Sequence, residues 1–348
     1  MVADTETAKF AGKQRVLLDS NVWRYVIDSK CQGALLRVAR TGGYAIQIAP
    51  AVLYEAFRIG DSALRSALIK LMTDLRFRRL MPEAYSESVE ILHEVERLRP
   101  DWLRTSPQLT LIRRLEKDWT RKTGGFWVRC ARSPQSEAQF IQRLEGPMMD
   151  NARGQAQFAR KEMIEAGWKT NPPMDKTLVR FSHPVPGWRG DDIEAWRVDA
   201  LAALSYSLGI RGDPYRDWLG PFIELDRGLL RSTDWVEFWL YSVESRNVPR
   251  QWMRWAHSFA QRFRKVTPGS PADSQLFTYF LDTDLVISAD RALIEILDEC
   301  RPFAPCPLPA ARAIAGGAAG VTELLRILNN SDRPAGSVSK SAGQIDGA

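Results

Sequence analysis

Histidine and paired cysteine are nearly missing from this chain. Its 348 residues hold three histidines (His93, His183, His257) and four cysteines (Cys31, Cys130, Cys300, Cys306), with no C-x-x-C spacing among them. Clusters of imidazole and thiolate that hold zinc, and dithiol redox motifs, are therefore excluded. The cysteines are expected to be buried thiols in a reducing compartment. There is no G-x-S-x-G nucleophile turn, and G-G-A-A-G at Gly316–Gly320 lacks the Lys-Ser/Thr of a phosphate loop. No apolar run approaches the roughly 20 residues of a membrane helix. The opening M-V-A-D-T-E-T-A-K-F contains acids and no apolar run, unlike a secretory or transit segment. No membrane partner is expected, and the expected location is the cytoplasm.

What is present is an ordinary globular composition, 45% hydrophobic and 26% charged, with a formal net charge of +6. A cationic excess favours an anionic partner such as nucleic acid. Arg15–Asp19 (R-V-L-L-D) and Tyr44–Ile48 are short apolar runs of the kind found in strands covered on both faces. Each leads into a helical pattern, the second through Pro50, which fits a first helical turn. Residues 84–98, 108–122, 136–144, 155–166, 193–208 and 250–265 have helical spacing, and eleven of the 12 tryptophans fall between Asp61 and Lys265. That block should have its own aromatic core or an aromatic surface. D-D-I-E at Asp191–Glu194 is expected to start a helix with Glu194 in its first turn. After P-G-S-P-A the α/β pattern returns, with a helix at 273–281, a strand at 284–288 and a helix at 292–298. Neither end has enough strands for a stable sheet alone, so one parallel sheet assembled from both ends is expected. The last 20 residues are small and polar, and are expected to be disordered.

Each α/β segment carries a carboxylate at or near an element end: Asp19 after the first strand, Glu55 one turn into the helix after Pro50, Asp273 opening a later helix, and Asp290 after the last strand. In a parallel sheet the carboxyl ends of the strands share one edge, where ligands bind. Helices that follow strands start there, and a helix that precedes a strand has its N-terminus there. All four acids are thus expected at one edge. Ionised carboxylates brought together cost several kcal/mol unless a cation offsets their repulsion or some take up protons. Mg²⁺ or Mn²⁺, with oxygen ligands and retained waters, suits such a set.

The segments L-L-D-S-N-V-W, I-A-P-A-V-L-Y-E-A-F-R and D-S-Q-L-F-T-Y-F-L-D-T-D-L-V-I-S-A-D-R-A-L resemble the successive acidic motifs of PIN-domain nucleases, in their usual order. The resemblance implies a three-layer α/β/α domain around a central parallel sheet. It would be discontinuous, residues 13–80 and 268–315, split by a large all-α insertion at 81–267 and followed by a tail at 329–348. It implies a hydrolase, a metal-dependent endoribonuclease cleaving phosphodiester bonds of single-stranded or structured RNA with Mg²⁺ or Mn²⁺. Asp19, Glu55, Asp273 and Asp290 would be the metal and catalytic acids, Asp284 an auxiliary metal acid, and Asn21 and Ser288 polar supports. The chain departs from compact members of the family in placing Glu55 and Asp273 more than half its length apart, so the insertion must contribute something.

Blander readings stand beside this one. Asp19, Asp273 and Asp290 are each good helix caps, and Glu55 alone would be a solvated helix residue. The insertion contributes cationic runs: R-F-R-R at Arg76–Arg79, and the stretch around Arg113, Arg114, Lys117, Trp119, Arg121, Lys122, Trp127 and Arg129, with Arg254 in a further basic helix. These are candidate nucleic-acid contacts, cations for phosphates and rings for unpaired bases. A solvated charged face is the alternative for the Arg113–Arg129 stretch. Trp252, Trp255, Phe259 and Phe263 recur at helical spacing and are read as core. DNA as substrate, a non-catalytic nucleic-acid-binding or protein-interaction module, and a toxin or defence nuclease held by a regulatory protein partner remain open beside the ribonuclease.

Overall fold

The computed structural model describes residues 12–41, 43–121, 123–264 and 270–329. The chain begins β1 (Gln14–Leu18), α1 (Ser20–Asp28), α2 (Gln32–Thr41), β2 (Tyr44–Ile48), α3 (Pro50–Phe57), α4 (Ser62–Met72) and β3 (Arg78–Arg79). Pro50 takes the first helical position of α3, where its missing N–H leaves no hydrogen bond unmade. The cationic run at Arg76–Arg79 thus supplies an edge strand, and its Phe77 is buried edge-on against Trp23.

The helical block follows: α5 (Glu83–Leu98), α6 (Leu109–Thr120), α7 (Phe126–Arg132), α8 (Pro134–Glu165), a strand pair β4 (Leu178–Val179) and β5 (Ile193–Glu194), α9 (Ala195–Gly209), α10 (Pro214–Leu219), α11 (Thr233–Glu237) and α12 (Pro249–Gln261). Two helices expected at 136–144 and 155–166 are one continuous helix of 32 residues. Glu194 is in a strand, antiparallel to Leu178, and the helix begins one residue later. The C-terminal part adds α13 (Ser270–Thr278) with a 3₁₀ turn at Tyr279–Asp282, β6 (Leu285–Ser288), α14 (Arg291–Cys300), β7 (Ala310–Ala313) and α15 (Gly317–Leu328). The α/β part therefore continues beyond 315, with α15 packed on α1. The expected tail lies outside the described residues from 330 onward.

The five long-range strands form one parallel sheet in the order β3-β2-β1-β6-β7. Val16 of β1 aligns with Ile46 of β2 on one side and Leu285 of β6 on the other. The sheet is thus assembled from both ends of the chain. Val16–Leu18 and all of β2 and β6 are buried, so both faces of the central strands are covered by helices.

The helical block shares this core. One apolar cluster runs from Val16 and Ile46 through Phe57 and Leu276 to Trp102, Trp235, Phe238 and Trp239. Trp252, Trp255 and Phe259 are buried in it, as their spacing indicated.

A buried polar network also ties α5 to α12. The fully buried Glu87 carboxylate accepts from Arg254 Nη2 at 2.5 Å, Gln251 Nε2 at 2.5 Å and Tyr215 Oη at 2.9 Å. Arg250 pairs with Glu90 and, through Nη2 at 2.7 Å, with Asp282. Removing one partner of such a pair leaves a charge buried and uncompensated, which costs about 3–5 kcal/mol. Arg254→Ala should destabilise the protein by about that amount in urea unfolding, whereas Arg113→Ala, on an exposed helix face, should stay within about 0.5 kcal/mol of the parent.

Candidate active site

Asp19 follows the last residue of β1, and its backbone N–H donates to Ile287 O of β6 at 3.0 Å. Its carboxylate is buried, 4% exposed, and is held from three sides. Oδ1 accepts the Ser20 N–H at 2.6 Å, while Oδ2 accepts from Ser288 Oγ at 2.5 Å and Asn21 Nδ2 at 2.8 Å. Asn21 Oδ1 accepts in turn from the Ala289 N–H at 3.2 Å, and Ser288 Oγ from the Asp290 N–H at 2.8 Å. Asn21 and Ser288 therefore bond directly to Asp19 and bind the ends of β1 and β6 together.

Asp290 is exposed and N-caps α14, its Oδ1 accepting from the Ala292 N–H at 2.8 Å. Glu55 is half-buried on α3, and Asp273 is half-buried in the first turn of α13 rather than at its cap, because that helix begins at Ser270. α13 packs on α3, so the two acids approach from neighbouring helices.

The charges of the four carboxylates act on one another: Asp290 on Asp19, Asp19 on Glu55, and all three on Asp273. Burial pushes the Asp273 carboxyl up to about 8, with further upward pressure from the charges of Glu55, Asp19 and Asp290. Glu55 is pushed up to about 7, again by burial first and then by the Asp19 charge, against weaker opposing effects from the Ser20 hydroxyl and Arg58. Asp19 is also raised by burial, partly relieved by the bonds from Ser288 and Ser20. Among the described residues no Lys or Arg forms an ion pair with any of the four.

This donor set is all oxygen, net negative and short of compensating cation, which fits a hard divalent ion. It is not a closed protein cage: among the described residues no three Asp, Glu, His or Cys stand close enough together to hold a metal by themselves. Mg²⁺ commonly uses one or two carboxylates and keeps several waters. Of Asp19, Glu55, Asp273 and Asp290, no more than two as placed would ligate it directly, with water linking the others to it.

Asp284 does not join them. It stands at the start of β6, the opposite edge of a parallel strand, and its carboxylate is engaged by Arg15 through Nη2 at 2.6 Å, Nε at 3.2 Å and the backbone N–H at 2.8 Å. These bonds hold Asp284 below the usual carboxylate range. It fastens the two central strands at their beginnings. Conversely, Ser20 was missed as a site residue: its N–H and hydroxyl reach Asp19, and its hydroxyl also acts on Glu55. The signal available was its place between Asp19 and Asn21 in one turn.

The cationic candidates divide. Trp127 is 1% exposed and cannot stack on a base, and Arg254 is committed to Glu87 inside the protein. Trp119 packs on Phe126, ring centroids 4.1 Å apart. Arg129 holds both oxygens of Asp118, at 2.7 and 2.9 Å, and Arg121 approaches the same carboxylate at 3.3 Å. Arg113, Arg114 and Lys117 are exposed. Lys122 lies outside the described residues.

No described helix is long and apolar enough to cross a membrane. No family model, curated protein or solved structure matches the chain.

A carboxyl whose folded-state pKa is raised binds its proton more tightly folded than unfolded, so stability is full below about pH 4 and is lost as pH climbs through the folded value. For Glu55 and Asp273 that window runs up to about pH 7 and about pH 8. Without divalent cation, Glu55→Gln and Asp273→Asn should each lessen the loss of stability between pH 5 and pH 8 by about 1–3 kcal/mol. Adding Mg²⁺ or Mn²⁺ at pH 8 should raise the thermal midpoint of the parent and leave that of Asp273→Asn nearly unmoved.

Proposed function

We propose that this protein is a PIN-like, metal-dependent endoribonuclease whose reactive centre is the acid group Asp19, Glu55, Asp273 and Asp290. The observation that supports the reading is that the charges of these four carboxylates act on one another beside one parallel sheet, with no Lys or Arg among the described residues forming an ion pair with any of them. A structural cap needs one carboxylate at one helix end; Glu55 lies within α3, and Asp273 lies in the first turn of α13.

Mg²⁺ or Mn²⁺, when bound, would supply counter-charge to the scissile phosphate and make water a competent nucleophile near neutral pH. The chain's own contribution is positional and protonic. Asp19 is kept in one orientation by Ser288 and Asn21. Glu55 and Asp273, whose carboxyls are raised toward neutrality in the absence of cation, are the groups that could take a proton from attacking water or return one to the leaving oxygen wherever they do not ligate the cation. Neutral imidazole is not needed for either transfer.

A second reading, a nucleic-acid-binding module on the same fold without hydrolysis, draws support from the lack of a ready-made three-residue metal shell among the described residues. Incubation with labelled single-stranded RNA and DNA separates the two. The nuclease reading expects cleavage with Mg²⁺ or Mn²⁺ and none with chelator. Asp19→Asn and Asp273→Asn should lose it by on the order of 100-fold or more, and Asn21→Ala by on the order of 10–100-fold, as for groups that orient a ligand. Asp284→Asn should cut at close to the parental rate, since Asp284 faces the other edge. Cleavage that persists in chelator, or an unimpaired Asp273→Asn, would remove the mechanism; binding without any cleavage would select the module.

A further inference from the structure

The helix α6 presents three exposed cations, Arg113, Arg114 and Lys117. Arg113, Arg114, Lys117 and Arg121, with Thr110, line an open concavity of about 670 Å³ on its outer face. Its one acid, Asp118, is bound on both oxygens by Arg129 and is held below the usual carboxylate range by that bond. Glu116 does not line the concavity. Among the described residues no carboxylate pairs with Arg113, Arg114 or Lys117.

Arg114 has an acid four residues on, Asp118, but Arg129 occupies both of that acid's oxygens. Arg113 and Lys117 place like charges at the same spacing, which costs a helix a few tenths of a kcal/mol. They stand about 6 Å apart along the axis, with Arg114 beside them. A line of unpaired cations suits a polymer carrying one charge per unit, as a phosphodiester chain does.

The inner face of the same helix is tied to the acid group. Trp119 packs on Phe126, and Phe126 on Tyr54, whose ring centroid is 6.2 Å away. Tyr54 precedes Glu55 on α3. Two ring contacts thus join the cationic helix to the helix that carries one of the four acids. The geometry points to the outer face of α6 as a phosphate track that holds single-stranded RNA by its backbone and leads it toward the acid group. This rests on the ribonuclease reading for what happens at the end of the track, and on α6 alone for the binding.

Binding can be measured apart from chemistry, by fluorescence anisotropy of the full chain with a labelled single-stranded RNA in chelator, over a range of NaCl concentrations. Single strands contribute a slope of about −0.7 per neutralised phosphate in log K against log salt. The triple variant Arg113→Ala/Arg114→Ala/Lys117→Ala should therefore bind at least tenfold more weakly at low salt, with a slope shallower by about 2. Its thermal midpoint and its Mg²⁺-induced stabilisation should match the parent, showing that α6 and the acid group are intact. Parental affinity and slope in the triple variant would overturn the track even if the protein cuts RNA, as would a parent that binds no RNA at all. So would unchanged RNA binding alongside lost binding to polyglutamate, which would assign the face to an acidic protein. Loss of RNA binding in the triple variant, with no cleavage by the parent under any metal, would leave the track standing and remove the nuclease reading instead.

Discussion

The pairing of β1 with β6 is the constraint on which the rest of the structure depends. Ser288 stands 269 residues after Asp19, yet its hydroxyl lies 2.5 Å from the Asp19 carboxylate. Neither end of the chain can form this sheet without the other, because β1 is the only strand that bridges the N-terminal pair and the C-terminal pair. The contact is fixed at both ends of the strands. Arg15 and Asp284 close the beginning through charged hydrogen bonds, and Asp19, Asn21 and Ser288 close the end. Loop closure over such a distance is entropically expensive, though the cost grows only slowly with length. The apolar register of Val16–Leu18 against Leu285–Ile287 supplies the compensating burial.

That pairing also creates the electrostatic problem at the sheet edge. A single buried carboxylate can be stabilised by several short hydrogen bonds, and Asp19 has them, but burial still outweighs them and its proton affinity stays raised. Glu55 is pressed further by the charge of Asp19, and Asp273 by those of Glu55, Asp19 and Asp290. Proton uptake relieves that charge at neutral pH, and a divalent ion, if bound as proposed, would relieve it in another way. On the proposed nuclease reading, proton uptake and cation uptake would compete for the same oxygens.

Much of this was legible in the sequence. V-L-L-D and D-L-V-I-S-A-D announce buried strands ending on polar turns, and parallel topology then sends their carboxyl ends to one edge, so Asp19 and Asp290 could be expected at that edge without coordinates. Asp284 could not be separated from them in the same way. It lies on the same strand as Ser288, and only the direction of β6 and the position of Arg15 across from it reveal that it faces the far edge. The cationic runs failed for a related reason. Composition gives the number of Arg and Trp residues but not which of them the core takes, and Trp127 and Arg254 are taken. β3 and β7 were missed because Arg78–Arg79 and Ala310–Ala313 have no apolar alternation. They are edge strands, specified by their neighbours more than by themselves.

The helical block is better understood as a wall of the site than as a separate body laid over it. Its aromatic residues belong to the same apolar cluster as the strands. Arg250 on α12 grips Asp282, which ends the turn after the helix of Asp273, and His257 on the same helix packs against Phe277, ring centroids 5.1 Å apart. α13 is thus held along its length by α12 and at its end by a charged bond. An acid raised by its neighbours' charge drifts away from them unless its helix is restrained. In this chain the restraint on Asp273 comes from the inserted segment, which is a physical reason for the chain to keep so long a passage between Glu55 and Asp273.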